Sequence, residues 1–127
     1  YNIFEGKEKK IIFNSISTSY NENKNIDFIK VRKDKNGLRL KNIFNILAIK
    51  YEINNLYIEP GSKLLNTLVS YNLVDELVFY KSPEIIGKLG LSTLVINSKP
   101  SKNISIVTES ITKISNDVRI IYKFLRK

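Results

Sequence analysis

The residues with the most chemistry per position lie in one short run, Glu59-Pro60-Gly61-Ser62-Lys63. It follows the apolar triplet Leu56-Tyr57-Ile58 and precedes a stretch in which Leu64, Leu65, Leu68 and Val69 share one helical face, with Lys63, Asn66 and Ser70 left wet. The pattern predicts a buried strand, a turn and a helix. A helix start carries N–H groups without intrahelical acceptors and a partial positive charge, and a glycine there lets an anion approach the backbone closely. Such a turn suits a phosphate or pyrophosphate. Lys63 adds a point charge, and the hydroxyls of Ser62 and Thr67 add donors. The run matches neither the G-x-G-x-x-G fingerprint nor the P-loop. An ordinary strand-to-helix turn, with Pro60 and Gly61 as punctuation and Glu59 favouring the helix dipole, accounts for the same residues, so both readings stand on this run alone.

Other chemistries are closed by composition. With Cys 0 and His 0 there is no disulfide framework, thiol nucleophile, imidazole base or His/Cys zinc site, and no Ser-His-Asp triad. The 127 residues hold one domain with a modest core, and 43% apolar with 26% charged residues places the chain in the globular class. Twenty-one basic against 12 acidic residues give +9, which points to an anionic partner such as a phosphorylated small molecule, a nucleic acid or a membrane surface. Only 4 of the 21 cations are Arg, the residue best suited to reading bases, which weighs against a dedicated nucleic-acid reader. Lys, Ile and Asn supply 52 of 127 residues, the signature of A/T-rich codons, so much of the charge reads as solvated surface. No apolar run is long enough to span a bilayer and no leader pattern opens the chain, so neither a nucleic-acid nor a membrane partner is expected, and a cytoplasmic location is. The first residue is Tyr1, read as the start of a piece of something longer.

Elements must position that turn. Lys10 to Phe13 and Ile26 to Val31 are strand candidates, separated by a polar loop from Asn14 to Lys24. Asp34-Lys35-Asn36-Gly37 is turn chemistry. Ile43, Ile46, Leu47 and Lys50, widened by Phe44 and Ala48, predict a helix over residues 41–51. After the second helix, Glu76 to Tyr80 is a strand stopped by Ser82-Pro83, with a loop containing Gly87 and Gly90 beyond it. Strand, helix, strand, helix, strand predicts crossovers and a parallel core. Ile104 to Thr108 and Val118 to Phe124, joined at Ser115-Asn116-Asp117, predict a closing antiparallel hairpin with Val118, Ile120, Tyr122 and Phe124 on one face. The expected fold is therefore an α/β mixed sheet. Neither internal repeats nor a linker breaks it.

The order Glu59, Gly61, then Leu73-Val74-Asp75-Glu76, then Pro83 and Gly87 resembles the reductase domain of the bifunctional riboflavin-biosynthesis deaminase/reductase, a dihydrofolate-reductase-like fold. The likeness extends over essentially the whole chain and implies the C-terminal portion of a single reductase domain, residues 1–127, with the zinc-binding deaminase absent. It implies NADPH-dependent reduction of 5-amino-6-(5-phosphoribosylamino)uracil to the ribitylamino compound by direct hydride transfer, which needs positioning rather than a nucleophile. It puts Glu59 at the phosphorylated pyrimidine substrate and Gly61, Ser62, Lys63, Leu64, Leu65, Asn66 and Thr67 along the NADPH cofactor. No residue is singled out as catalytic and no metal is expected. Pro60 departs from the small residue usual there and removes one backbone N–H. Leu73-Val74-Asp75-Glu76 is expected to set the helix-to-strand turn rather than to act in catalysis. The resemblance also implies a homodimer or association with a separate deaminase. The alternatives are a degenerate or non-catalytic subunit or fragment of the same fold, inactive by itself, or a related dihydrofolate-reductase-like enzyme for another heterocycle.

Overall fold

The computed structural model describes residues 5–16, 25–84 and 103–126. The chain divides into two compact units, Tyr1–Tyr57 and Ile58–Lys127.

In the first unit, β1 (Lys10–Asn14) and β2 (Ile26–Lys30) pair in parallel, from Lys10 opposite Ile26 to Asn14 opposite Lys30. The β-branched Ile11, Ile12, Ile26 and Ile29 suit a pleated surface. The Val31 N–H donates to the Asn14 carbonyl at 2.7 Å, and Ile26 and Val31 are buried, so the end of β2 is tied down. A short hairpin follows, β3 (Lys33–Asp34) against β4 (Gly37–Leu38). Its turn is set by the Asn36 N–H donating to Asp34 Oδ1 at 2.8 Å and by Gly37 at φ 122°, a backbone conformation that favours glycine. Helix α1 (Leu40–Tyr51) half-buries Ile43, Phe44, Ile46 and Leu47. Ala48, expected to widen that stripe, is exposed because it falls beside Ile49 on the outer face. The helix stops at Glu52, whose left-handed φ of 54° turns its N–H back onto the Leu47 carbonyl.

The second unit places α2 (Ser62–Ser70) on an antiparallel sheet of β5 (Glu76–Lys81), β6 (Ile104–Ile114) and β7 (Asp117–Arg126), in the order β5-β7-β6. β6 and β7 form the expected hairpin through Ser115-Asn116, with Ser115 left-handed at φ 54° and an irregularity at Glu109. Alternation puts Tyr122 and Phe124 on the face that meets α2. There Leu65, Val69 and Phe124 form the buried core, and Val74, Leu77, Ile104 and Tyr122 pack around it. Burying this stripe holds α2 on the sheet.

The architecture is mixed α/β, as the sequence pattern predicts, but parallel pairing falls only between β1 and β2 among the described residues, while β5 pairs antiparallel with β7. Leu56-Tyr57-Ile58, predicted as a buried strand, is not one: the segment is irregular, with Leu56 48% and Tyr57 79% exposed. Three apolar residues make a strand only where a neighbour accepts their backbone bonds, and no described strand pairs with this run. Most of the predicted loop from Asn14 to Lys24, and the one containing Gly87 and Gly90, lie outside the described residues.

Candidate functional site

Helix α2 begins without a side-chain cap. Its N-cap is Gly61, extended at φ −71° and ψ 166°, and its first turn carries no acidic residue. The first helical bond runs from the Leu65 N–H to the Gly61 carbonyl at 3.0 Å. The amides of Ser62, Lys63 and Leu64 therefore precede the helical ladder and find no backbone acceptor among the described residues. All three residues are exposed. This is the arrangement that receives an anion: N–H groups at the positive end of a helix, reachable from solvent.

Gly61 decides how close an anion comes. Its φ is one that any residue adopts, and a Cβ built on it would meet nothing within 4 Å. The fold therefore does not require glycine here. The open space beside Gly61 is the cradle through which a phosphate would reach the amides, and on that observation the residues present fit a phosphate-bearing cofactor. Pro60 just before it contributes no N–H.

The remaining predicted cofactor residues divide. Lys63 is exposed and available. Leu65 offers neither main chain nor side chain, since its N–H is spent on Gly61 and its side chain is 6% exposed within the core. Leu64, predicted to share the buried stripe, is 37% exposed at its margin, beside the free amides. Asn66, predicted wet, is half-buried; its Nδ2 donates to the Ser62 carbonyl at 2.8 Å and its Oδ1 is buried without a partner among the described residues. The Thr67 hydroxyl donates to the Lys63 carbonyl at 2.9 Å, so it presents an acceptor rather than the expected donor. Glu59 is exposed, two residues ahead of the helix.

Leu73-Val74-Asp75-Glu76 carries the chain from α2 into β5. Asn72 takes a left-handed φ of 56°, the Leu73 N–H closes onto the Leu68 carbonyl at 3.0 Å, and the Asp75 carbonyl accepts from Phe124 N–H at 2.9 Å. The Asp75 carboxylate pairs with Arg126 at 2.8 Å. These bonds fix the start of β5 against β7, the structural role expected of the motif.

Sequence reasoning passed over one cluster in the first unit. Asp27, on β2, accepts from Lys9 Nζ at 2.6 Å and from the Tyr51 hydroxyl at 2.5 Å. Its carboxyl is held below the usual value by the Lys9 bond first and the Tyr51 bond second. Burial, then the bond to Asp27, pushes the Tyr51 phenol up to about 12. The cluster ties the last residue of α1 to β2. The signal for it was an acid set inside the apolar run Ile26-Asp27-Phe28.

The comparisons with known proteins agree with the fold. The family model described as "RibD C-terminal domain" matches residues 1–120. A 5-amino-6-(5-phosphoribosylamino)uracil reductase of Buchnera aphidicola from Acyrthosiphon pisum is 35% identical over 95 residues, covering 72% of this chain and 45% of that protein. The riboflavin biosynthesis protein RibD of Buchnera aphidicola from Baizongia pistaciae is 30% identical over 124 residues, 94% of this chain and 28% of that one. The chain thus spans less than half the length of these curated relatives. Among solved structures, the riboflavin biosynthesis reductase of Saccharomyces cerevisiae superposes over 93% of this chain and 52% of its own with a TM-score of 0.68, at 16% identity, a likeness of fold. With the family model matched over residues 1–120 of the 127, this chain belongs to the RibD C-terminal domain family.

Proposed function

We propose that the chain serves an NADPH-dependent reduction of 5-amino-6-(5-phosphoribosylamino)uracil to its ribitylamino product, with the start of α2 as the cofactor's phosphate site. Family membership supports a reductase that uses a nicotinamide cofactor. The observation that carries the finer reading is Gly61, a glycine that the backbone does not need and that leaves open the approach to three free amides.

The cofactor supplies a hydride when bound; everything else falls to the protein. The amides of Ser62, Lys63 and Leu64 hold the pyrophosphate, and Lys63 offsets its charge. Gly61 permits the contact. Leu65, Asn66 and Thr67 act from beneath, Leu65 by anchoring the helix in the core and Asn66 and Thr67 by bonding first-turn carbonyls. Glu59, exposed beside the turn, accepts a hydrogen bond from a substrate hydroxyl and so orients the sugar carbon that is reduced. A chain with neither Cys nor His needs no covalent intermediate for this chemistry.

In this reading residues 1–127 are the C-terminal portion of one reductase domain. The protein works in the cytoplasm, as a homodimer or beside a separate deaminase. Titration of the purified protein with NADPH, followed by cofactor fluorescence, tests the site. Saturable binding that NADP competes supports it, and a folded protein that leaves the fluorescence unchanged refutes it.

A further inference from the structure

Half of the chain's four arginines face each other across one hairpin. The register of β3 with β4 sets Lys33 opposite Leu38, so the next pair outward is Arg32 and Arg39, joined by an Arg39 N–H to Arg32 carbonyl bond of 3.0 Å. Directly opposed residues of an antiparallel ribbon share a face, with Cα atoms about 5.5 Å apart in a hydrogen-bonded pair, and like charges so placed repel. Lys30, Lys33, Lys35 and Lys41 add four more exposed cations within twelve residues.

Nothing described balances them. Asp34 is the only acid in the segment, and its Oδ1 accepts the Asn36 amide that shapes the turn. Among the described residues no carboxylate pairs with any of the six cations. Arg39 is moreover the N-cap of α1, a position that favours Ser, Thr, Asp or Asn, and the first turn of α1 has no acid. Two separate rules of local stability are thus broken by the same residue. Codon bias toward Lys explains neither arginine. The base of the hairpin is anchored, since Val31 is buried and bonded to β1. It stands at the C-terminal end of the parallel pair, the end where α/β sheets gather ligands.

We propose that the Arg32–Arg39 face of this hairpin is an oxyanion site for a phosphate group, formed by residues other than those at the start of α2. Two opposed guanidinium forks match a phosphate dianion, and bound phosphate would relieve both the cross-strand repulsion and the bare helix start. The segment of residues 30–41 contains no aromatic residue on which a base would stack, which favours a small phosphorylated molecule over RNA.

The test is a pyrophosphate titration of the 15N-labelled chain, with sodium chloride at matched ionic strength as control. Saturable shifts of the amides of residues 31–41 are expected, read apart from any at Ser62–Leu64, and the double variant Arg32→Gln/Arg39→Gln weakens the binding seen at residues 31–41 by about tenfold or more, as loss of two charge-assisted contacts requires, while leaving any at Ser62–Leu64 unchanged. An adenosine monophosphate that binds more tightly than pyrophosphate assigns the phosphate to a nucleotide, and the reverse order to a free anion; both support the site. Arg39→Asp gives a second readout: it raises Tm, by supplying the missing cap, and abolishes binding. Shifts that chloride reproduces, a double variant that binds as well as the parent, or single-stranded RNA that binds more tightly than either small anion would each overturn the proposal.

Discussion

Replacing Gly61 by alanine separates a role in folding from a role in binding. The backbone there is extended at φ −71° and the new methyl would meet nothing within 4 Å, so no steric cost falls on the folded state. Alanine restricts the unfolded chain, a gain of about 0.4–1 kcal/mol. It is also a poorer N-cap than glycine, a loss of about 0.5–1 kcal/mol. The two nearly cancel, and the predicted change in stability is within about 0.5 kcal/mol. Binding behaves differently. The methyl stands where a phosphate must come to reach the amides of Ser62, Lys63 and Leu64, and losing one hydrogen bond to a charged group costs about 1.5–3 kcal/mol. That corresponds to a dissociation constant for NADPH about 10- to 150-fold higher. Calorimetric melting and NADPH fluorescence titration on one preparation give both numbers. A variant that binds NADPH like the parent would refute the cradle, and one that loses several kcal/mol of stability would show that the glycine serves the fold.

Other expectations follow from the packing and the ion pairs. Phe124→Ala empties the centre of the α2 face and is expected to cost about 3–5 kcal/mol, read from denaturant midpoints. Tyr51→Phe removes a hydrogen bond to the Asp27 carboxylate and should cost about 1–2 kcal/mol. Because the folded pKa of Tyr51 is raised from 10.0 to about 12, its share of stability is complete below pH 10 and lost as pH climbs to 12; melting scans of the phenylalanine variant should lack that loss. Asp27 has the opposite sign. Its lowered pKa gives stability that is present above pH 3.8 and fades as pH falls through the folded value, and Lys9→Met should flatten that acid limb. Ser115→Gly relieves a left-handed φ in the β6–β7 turn and should stabilise by up to about 1 kcal/mol.

Much of this was legible in the sequence because local pattern and tertiary packing agree. Leu65, Leu68 and Val69 recur at helical spacing and are the residues of α2 that are buried. Val118, Ile120, Tyr122 and Phe124 alternate, and Phe124 lies in the core. Leu56-Tyr57-Ile58 failed because three apolar residues state a preference without naming a partner, and strand formation is decided by the partner. Within the site, helical periodicity placed Gly61 through Thr67 together, but it did not reveal that the Leu65 amide and the Thr67 hydroxyl would be consumed inside the helix. Hydrogen-bond accounting is settled by geometry, and spacing alone does not contain it. The Lys9–Asp27–Tyr51 cluster escaped notice for a similar reason, since it joins residues 18 and 24 positions apart.

Turnover tests the central claim most directly. The complete protein, this chain together with whatever its gene places before it, is purified and mixed with NADPH and 5-amino-6-(5-phosphoribosylamino)uracil, and the ribitylamino product is measured against NADPH consumed. The account predicts one product formed per NADPH oxidised, a rate sharply reduced by Glu59→Gln, and a raised KM for NADPH in Gly61→Ala. A folded protein that binds NADPH yet forms no product, or one in which Glu59→Gln turns over like the parent, would contradict it.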